Sequence, residues 1–142
     1  MVVTPPELTT LKSIDLIIPV YVVKGKKKPK KFYLNLNAYR NWKWHLSNSI
    51  KRDYKQLLSP ILRNTIFPDP CEVTYEVFGA TQRKFDVENI CSITSKFFLD
   101  AAVEFGCIED DNFTHIPRIT YLYGGIEKNN PHIKVNIREI LV

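Results

Sequence analysis

A chain of 142 residues that is 44% hydrophobic and 12% aromatic is long enough to bury one real core and too short to hold two comfortable domains. Its three cysteines, Cys71, Cys91 and Cys107, are odd in number and lack C-x-x-C spacing, which argues against a disulfide framework or a zinc site and for a reducing compartment. No apolar run approaches the roughly 20 residues that span a bilayer, and the opening MVVTPPELTT has no basic region leading into an apolar one. A cytoplasmic protein without a membrane partner is expected.

The net charge of +5 is unevenly distributed. Residues 1–55 carry twelve Lys or Arg against Glu7, Asp15 and Asp53, a balance of +9, and residues 56–142 carry eight against twelve acids, a balance of −4. A basic amino-terminal part joined to an acidic cluster suits a metal-dependent enzyme acting on a polyanion, with cations on phosphates and carboxylates on the metal. Lysine-rich solvated surface is the plainer alternative, and the segregation of charge favours nucleic acid over it.

Taken in order, residues 1–12 read as a flexible tail and residues 13–142 as one domain. Ser13 to Val23 is rich in Ile and Val and reads as a strand, with Pro19 placing it at an edge or bulge. Lys24 to Lys31, KGKKKPKK, holds Gly25 and Pro29 and reads as a loop or arm. Lys26, Lys27, Lys28, Lys30 and Lys31 are its candidates for phosphate contact, with Phe32 and Tyr33 beside them for stacking. From Asn37 the period turns helical: Tyr39, Trp42, Leu46, Ile50, Tyr54 and Leu57 form an apolar stripe, Asn37 is the expected cap and Ser59-Pro60 the expected end. Arg40 and Lys43 belong to the opposite, basic side, which suits a phosphate backbone or simply solvent. His45, His115 and His132 have no ligand-spaced partners and read as surface or packing residues.

Cys71 to Phe78 alternates as a half-buried strand. A second helix is expected over roughly Val87 to Phe105, with Ile90, Ile93, Phe97, Phe98, Ala101 and Phe105 facing the core and Gly106 as C-cap. Ile116 to Tyr123 and Ile133 to Leu141 read as two more strands, most simply an antiparallel hairpin. The order β-α-β-α-β-β describes a single α+β domain, a mixed β-sheet with two main helices packed on one face.

The chemistry is concentrated between Arg83 and Asp111, RKFDVENICSITSKFFLDAAVEFGCIEDD. Acids stand at both ends of the helix. If Asp86 and Glu88 are still extended, a period of two puts them on one side, and a loop folding back would bring Asp111 to join them as hard oxygen ligands of the kind Mg²⁺ selects. The alternative is structural: Asp86 a helix cap, Glu88 a partner of the helix dipole, Asp110-Asp111 a solvated turn.

In these residues the sequence resembles the RusA family of Holliday junction resolvases, whose pattern is D-x-D-N, a helix carrying Lys and D-A, then G and D-D. The matching positions are Asp86-Val87-Glu88-Asn89, Lys96, Asp100-Ala101, Gly106 and Asp110-Asp111. Glu88 stands where Asp is usual, and the interval from Asn89 to Lys96 is about one helical turn longer than in the best-known form. The resemblance implies a RusA-like homodimer that cuts four-way DNA junctions with Mg²⁺, for which Mn²⁺ is a possible substitute. It assigns Asp86, Glu88 and Asp111 to the metal and Lys96 to the phosphate or nucleophile. Asn89 would orient a carboxylate, Asp110 would support the site, and Arg83 and Lys84 would contact backbone phosphate. Seven positions at about 100° each bring Lys96 to the same helix face as Asn89, so it is expected to point at the site. The alternatives are a pairing of Lys96 with Asp100 at i, i+4, and, for the whole chain, a flap or fork nuclease or a module that binds branched or single-stranded DNA through Tyr33, Trp42 and Trp44 without cutting.

Overall fold

A computed structural model describes residues 11–141. Most of the expected tail lies outside the described residues. Its last part is tied down, because the Lys12 N–H donates to Glu139 Oε2 at 3.0 Å and the Lys12 carbonyl accepts from the Glu139 N–H at 2.8 Å.

The elements are β1 (Ser13–Pro19), β2 (Tyr21–Lys24), β3 (Lys30–Tyr33), α1 (Leu36–Asn41), α2 (Trp44–Leu62), β4 (Cys71–Gly79), α3 (Val87–Glu104), β5 (Arg118–Ile126) and β6 (His132–Glu139). They form the expected α+β domain, a mixed four-stranded sheet of order β1-β6-β4-β5 with a small β2-β3 sheet beside it. One face of the main sheet is continuously apolar. Leu16, Val135 and Tyr75 lie in register, as do Ile18, Ile133 and Val77. Against this face pack Ile50, Tyr54, Leu58 and Leu62 of α2 and Cys91, Phe97 and Phe98 of α3, all essentially buried. Each large side chain so buried contributes on the order of 2 kcal/mol. The buried Tyr54 hydroxyl donates to the Pro19 carbonyl at 2.6 Å, joining α2 to the end of β1.

Several expectations need correction. Ser13 to Val23 is two strands in different sheets: β1 ends at Pro19, the chain bends at Val20, and β2 turns to pair with β3. The lysine segment is therefore the end of a β-hairpin rather than a loose arm, closed by the Lys24–Lys30 pair, with Tyr21 and Tyr33 facing each other at 5.3 Å. Gly25, at φ +104, is required in its loop, where a Cβ would stand 2.7 Å from the Lys28 carbonyl oxygen.

The long first helix is broken in two. Trp42 and Lys43 are extended, and the Trp42 ring packs edge-on against Phe32 and Tyr39. That packing onto the hairpin outweighs helical continuity. Asn35, rather than Asn37, caps α1, its side-chain oxygen accepting from the Ala38 N–H at 2.9 Å. At the other end Pro60 does not stop α2, which continues to Leu62; burial of Leu58 and Leu62 holds the last turn against the loss of one backbone bond.

Finally, β5 and β6 are not a hairpin. β4 lies between them, parallel to β5 and antiparallel to β6. Two strand spacings are about 9.6 Å, well within the reach of residues 127–131, and the Glu127 N–H crosses back to the Gly79 carbonyl at 2.8 Å. The parallel neighbours β4 and β5 are then joined by α3, which covers both. α3 closes as expected: Gly106 takes φ +76, its N–H donates to the Val103 carbonyl, and the Cys107 N–H donates to the Ala102 carbonyl, a Schellman cap.

Candidate functional site

The chain between β4 and α3 borders an open groove of about 750 Å³, whose lining includes Arg83, Lys84, Asp86 and Asn89 together with Asn35, Asn37 and Tyr123. Asp86 occupies the N-cap position in extended conformation, yet its carboxylate caps no amide of the helix. Instead Oδ2 accepts from Asn89 Nδ2 at 3.3 Å, and the Asp86 carbonyl accepts from the Asn89 N–H at 3.1 Å. The carboxylate is held by Asn89 and remains exposed in a cleft that also carries two cations.

Glu88 lies differently. The helix begins at Val87, so Asp86 is extended while Glu88 is already in the first turn, and a period of two does not relate them. Glu88 is on the side of α3 that meets β5, where its charge helps to raise the Tyr121 phenol, after the larger effect of burial. The Tyr75 phenol is raised mainly by burial, and Asp111, in the loop after α3, adds the smallest of the effects that raise it. Under α3, Ser95 Oγ donates to Tyr75 Oη at 2.8 Å, and the Tyr75 and Tyr121 rings stand 5.8 Å apart. The charges that act on Asp111 itself are those of Asp100 and Asp110. Among the described residues no three Asp, Glu, His or Cys side chains are gathered closely enough to hold a metal by themselves.

The Asp111 carboxyl is held above its ordinary range, first by partial burial, then by the hydrogen bond to Asp110, and further by the charges of Asp100 and Asp110. The Asp111 N–H donates to Asp110 Oδ1 at 2.7 Å, while Asn112 Nδ2 donates to Asp110 Oδ2 at 3.1 Å. Asp110 orders the turn and crowds its neighbour with negative charge. A cation is the natural relief for such crowding.

Lys96 is exposed, with Nζ 5.5 Å from the Tyr39 ring centroid. It does not pair with Asp100, which takes Lys51 at 2.7 Å instead. The basic residues divide in the same way into occupied and available ones. Lys24 is bound to Asp53 at 2.5 Å and to Ser49 at 2.6 Å, Lys30 and Lys31 lie over the Phe32 and Tyr21 rings, and Lys26, Lys27 and Lys28 are exposed at the tip. Arg40 and Lys43 are exposed at the α1–α2 break, as is Trp44, which is 76% accessible. Trp42 packs inward.

No cysteine or histidine is among the described residues that line the groove. Burial pushes the Cys91 thiol up to about 12 and the Cys71 thiol to about 11. His115 meets Asp69 at 2.8 Å and His132 stacks on Phe78 at 4.8 Å, both in packing roles. Sequence reasoning missed Asn35 and the Tyr75–Ser95–Tyr121 group. Asn35 was detectable as the first of two possible caps in LNLN, whereas the hydroxyl group exists only because β5 lies beside β4. No protein-family model matches the chain, and no curated protein matches it.

Proposed function

We propose that the protein is a Mg²⁺-dependent endonuclease for branched DNA, the activity that its RusA-like motif implies. The observation that carries this reading is the groove at the start of α3, which Asp86, held by Asn89, lines together with Arg83 and Lys84. A phosphate gripped by these cations lies beside a carboxylate that has no structural duty on its own helix.

The donors fit a hard cation: Asp86, Glu88 and Asp111 offer only oxygen, which suits Mg²⁺ or Mn²⁺ and not a soft metal. Mg²⁺ is normally held by one or two carboxylates, with water and substrate phosphate completing its shell, so three preassembled acids are not a requirement. When bound, it supplies Lewis acidity at a phosphate oxygen and favours ionisation of water. The protein does the positioning. Arg83 and Lys84 hold backbone phosphate, Asn89 fixes the Asp86 carboxylate, and Lys96 Nζ donates to a non-bridging phosphate oxygen.

A homodimer would use the outer edge of β5. Among the described residues only β4 pairs with this strand, and Ile119, Leu122, Tyr123 and Ile126 are all more than 40% accessible. Edge strands are normally guarded by charge or proline; β5 carries Arg118 alone. Because Tyr123 also lines the groove, a second copy on this edge would bring the two grooves near one two-fold axis, as a two-fold DNA junction requires.

A labelled four-way junction incubated with and without Mg²⁺ tests the activity, with fork, flap and linear duplex as comparators. Paired nicks that need metal and vanish in Asp86→Asn, with junction affinity kept or raised, are expected. A junction shifted but intact under every condition would make the protein a binding module.

A further inference from the structure

Beside the groove lies a second, smaller cavity of about 150 Å³ between the exit of the hairpin, the end of β4 and the start of α3. It shares Asn35, Phe85 and Ile90 with the groove and adds Tyr33, Phe78 and Pro131. We propose that this cavity receives one unstacked nucleobase of the DNA whose phosphates occupy the groove, an inference that rests on the DNA reading above and extends it.

The size is decisive. A cavity of about 150 Å³ is known to hold a single aromatic ring, whereas sites for drug-sized ligands begin at about 300 Å³. The lining is equally selective, because three aromatic rings, four aliphatic side chains and Pro131 make the apolar surround against which an extruded base packs. One polar group completes it. The Asn35 side-chain oxygen is already committed to the Ala38 N–H, so its Nδ2 is the end left to donate, and every base presents an acceptor on its edge. Charge complementarity names the occupant: the adjoining groove carries Arg83 and Lys84, and the hairpin that supplies Tyr33 carries the exposed Lys26, Lys27 and Lys28. An apolar slot flanked by phosphate-holding cations fits a base still attached to its backbone. Branch points supply such bases at low cost, since their neighbours are already partly unstacked.

The test is an abasic scan. Fluorescence anisotropy in metal-free buffer measures the affinity of the full chain for a four-way junction in which a single abasic site is moved one nucleotide at a time through the branch point. The wild-type protein is expected to lose about ten-fold at one position, the scale of one base–aromatic stack, with little change elsewhere. Tyr33→Ala, at a side chain 44% accessible, and Phe85→Ala are each expected to lose about ten-fold on intact DNA and nothing further when the abasic site is at that position. A flat scan, variants that keep the full positional loss, or effective competition by free nucleoside monophosphates would each overturn the proposal. Cleavage is read separately. Junction cutting with a flat scan removes the base slot and leaves the nuclease, whereas positional sensitivity without cutting leaves the slot and removes the nuclease.

Discussion

The hairpin permits a quantitative prediction, because the structure separates its lysines by what they already touch. Lys24 is engaged with Asp53 and Ser49, and Lys30 and Lys31 lie on aromatic rings, so Lys26, Lys27 and Lys28 are the ones available to phosphate. Each phosphate contact on duplex DNA contributes about 0.9 to the slope of log K against log salt. Replacing all three with alanine is therefore expected to flatten that slope by about 2.7. Between 50 mM and 200 mM salt, a four-fold change, wild-type affinity should then fall about 40-fold more steeply than that of the triple variant. Anisotropy titrations on a labelled junction in metal-free buffer measure both slopes. Lys24→Ala is the internal control: it should leave the slope unchanged while lowering stability, because Asp53 loses its closest cation. A triple variant with the wild-type slope, or a Lys24→Ala slope that flattens as much, would refute the assignment.

Three other outcomes are expected. The Asp111 carboxyl is raised above its ordinary range, so the native state binds its proton more tightly than the unfolded chain and ionisation opposes folding; the penalty is absent below the ordinary carboxylate range and fully present at neutral pH. In metal-free buffer Asp111→Asn should therefore melt above wild type at pH 7 and lose that advantage in acid, and an advantage equal at both pH values in thermal melts would contradict the cause given. Lys96→Ala should reduce junction cutting about 100-fold or more, the scale of losing one donor to a developing charge, while its lost contact with Tyr39 costs no more than about 1 kcal/mol in thermal melts; Lys96→Arg should keep the ring contact and still cut poorly, and full activity in both variants would retire this lysine from the reaction. Leu122→Lys should convert a dimer to a monomer in sedimentation and replace paired nicks by single ones, whereas an unchanged dimer would place the interface elsewhere.

What the sequence determined by itself was whatever local pattern controls. Strict alternation marked β4 to within one residue, the apolar stripe with Gly106 at its end marked α3, and both survive because period and cap chemistry act within a few residues. The polar positions of the groove, Arg83, Lys84, Asp86 and Asn89, were legible for the same reason: they are neighbours in the chain. The tertiary structure decided everything that depends on distant partners. Pairing of β5 with β4 rather than β6 follows from where α3 returns the chain, and the break at Trp42 from a ring that packs on Phe32. The Tyr75–Ser95–Tyr121 group depends on α3 packing over the sheet and on β5 lying beside β4. No periodicity carries such information, because long-range contacts are chosen by the free energy of burying whole surfaces together and not by the local preferences of either segment.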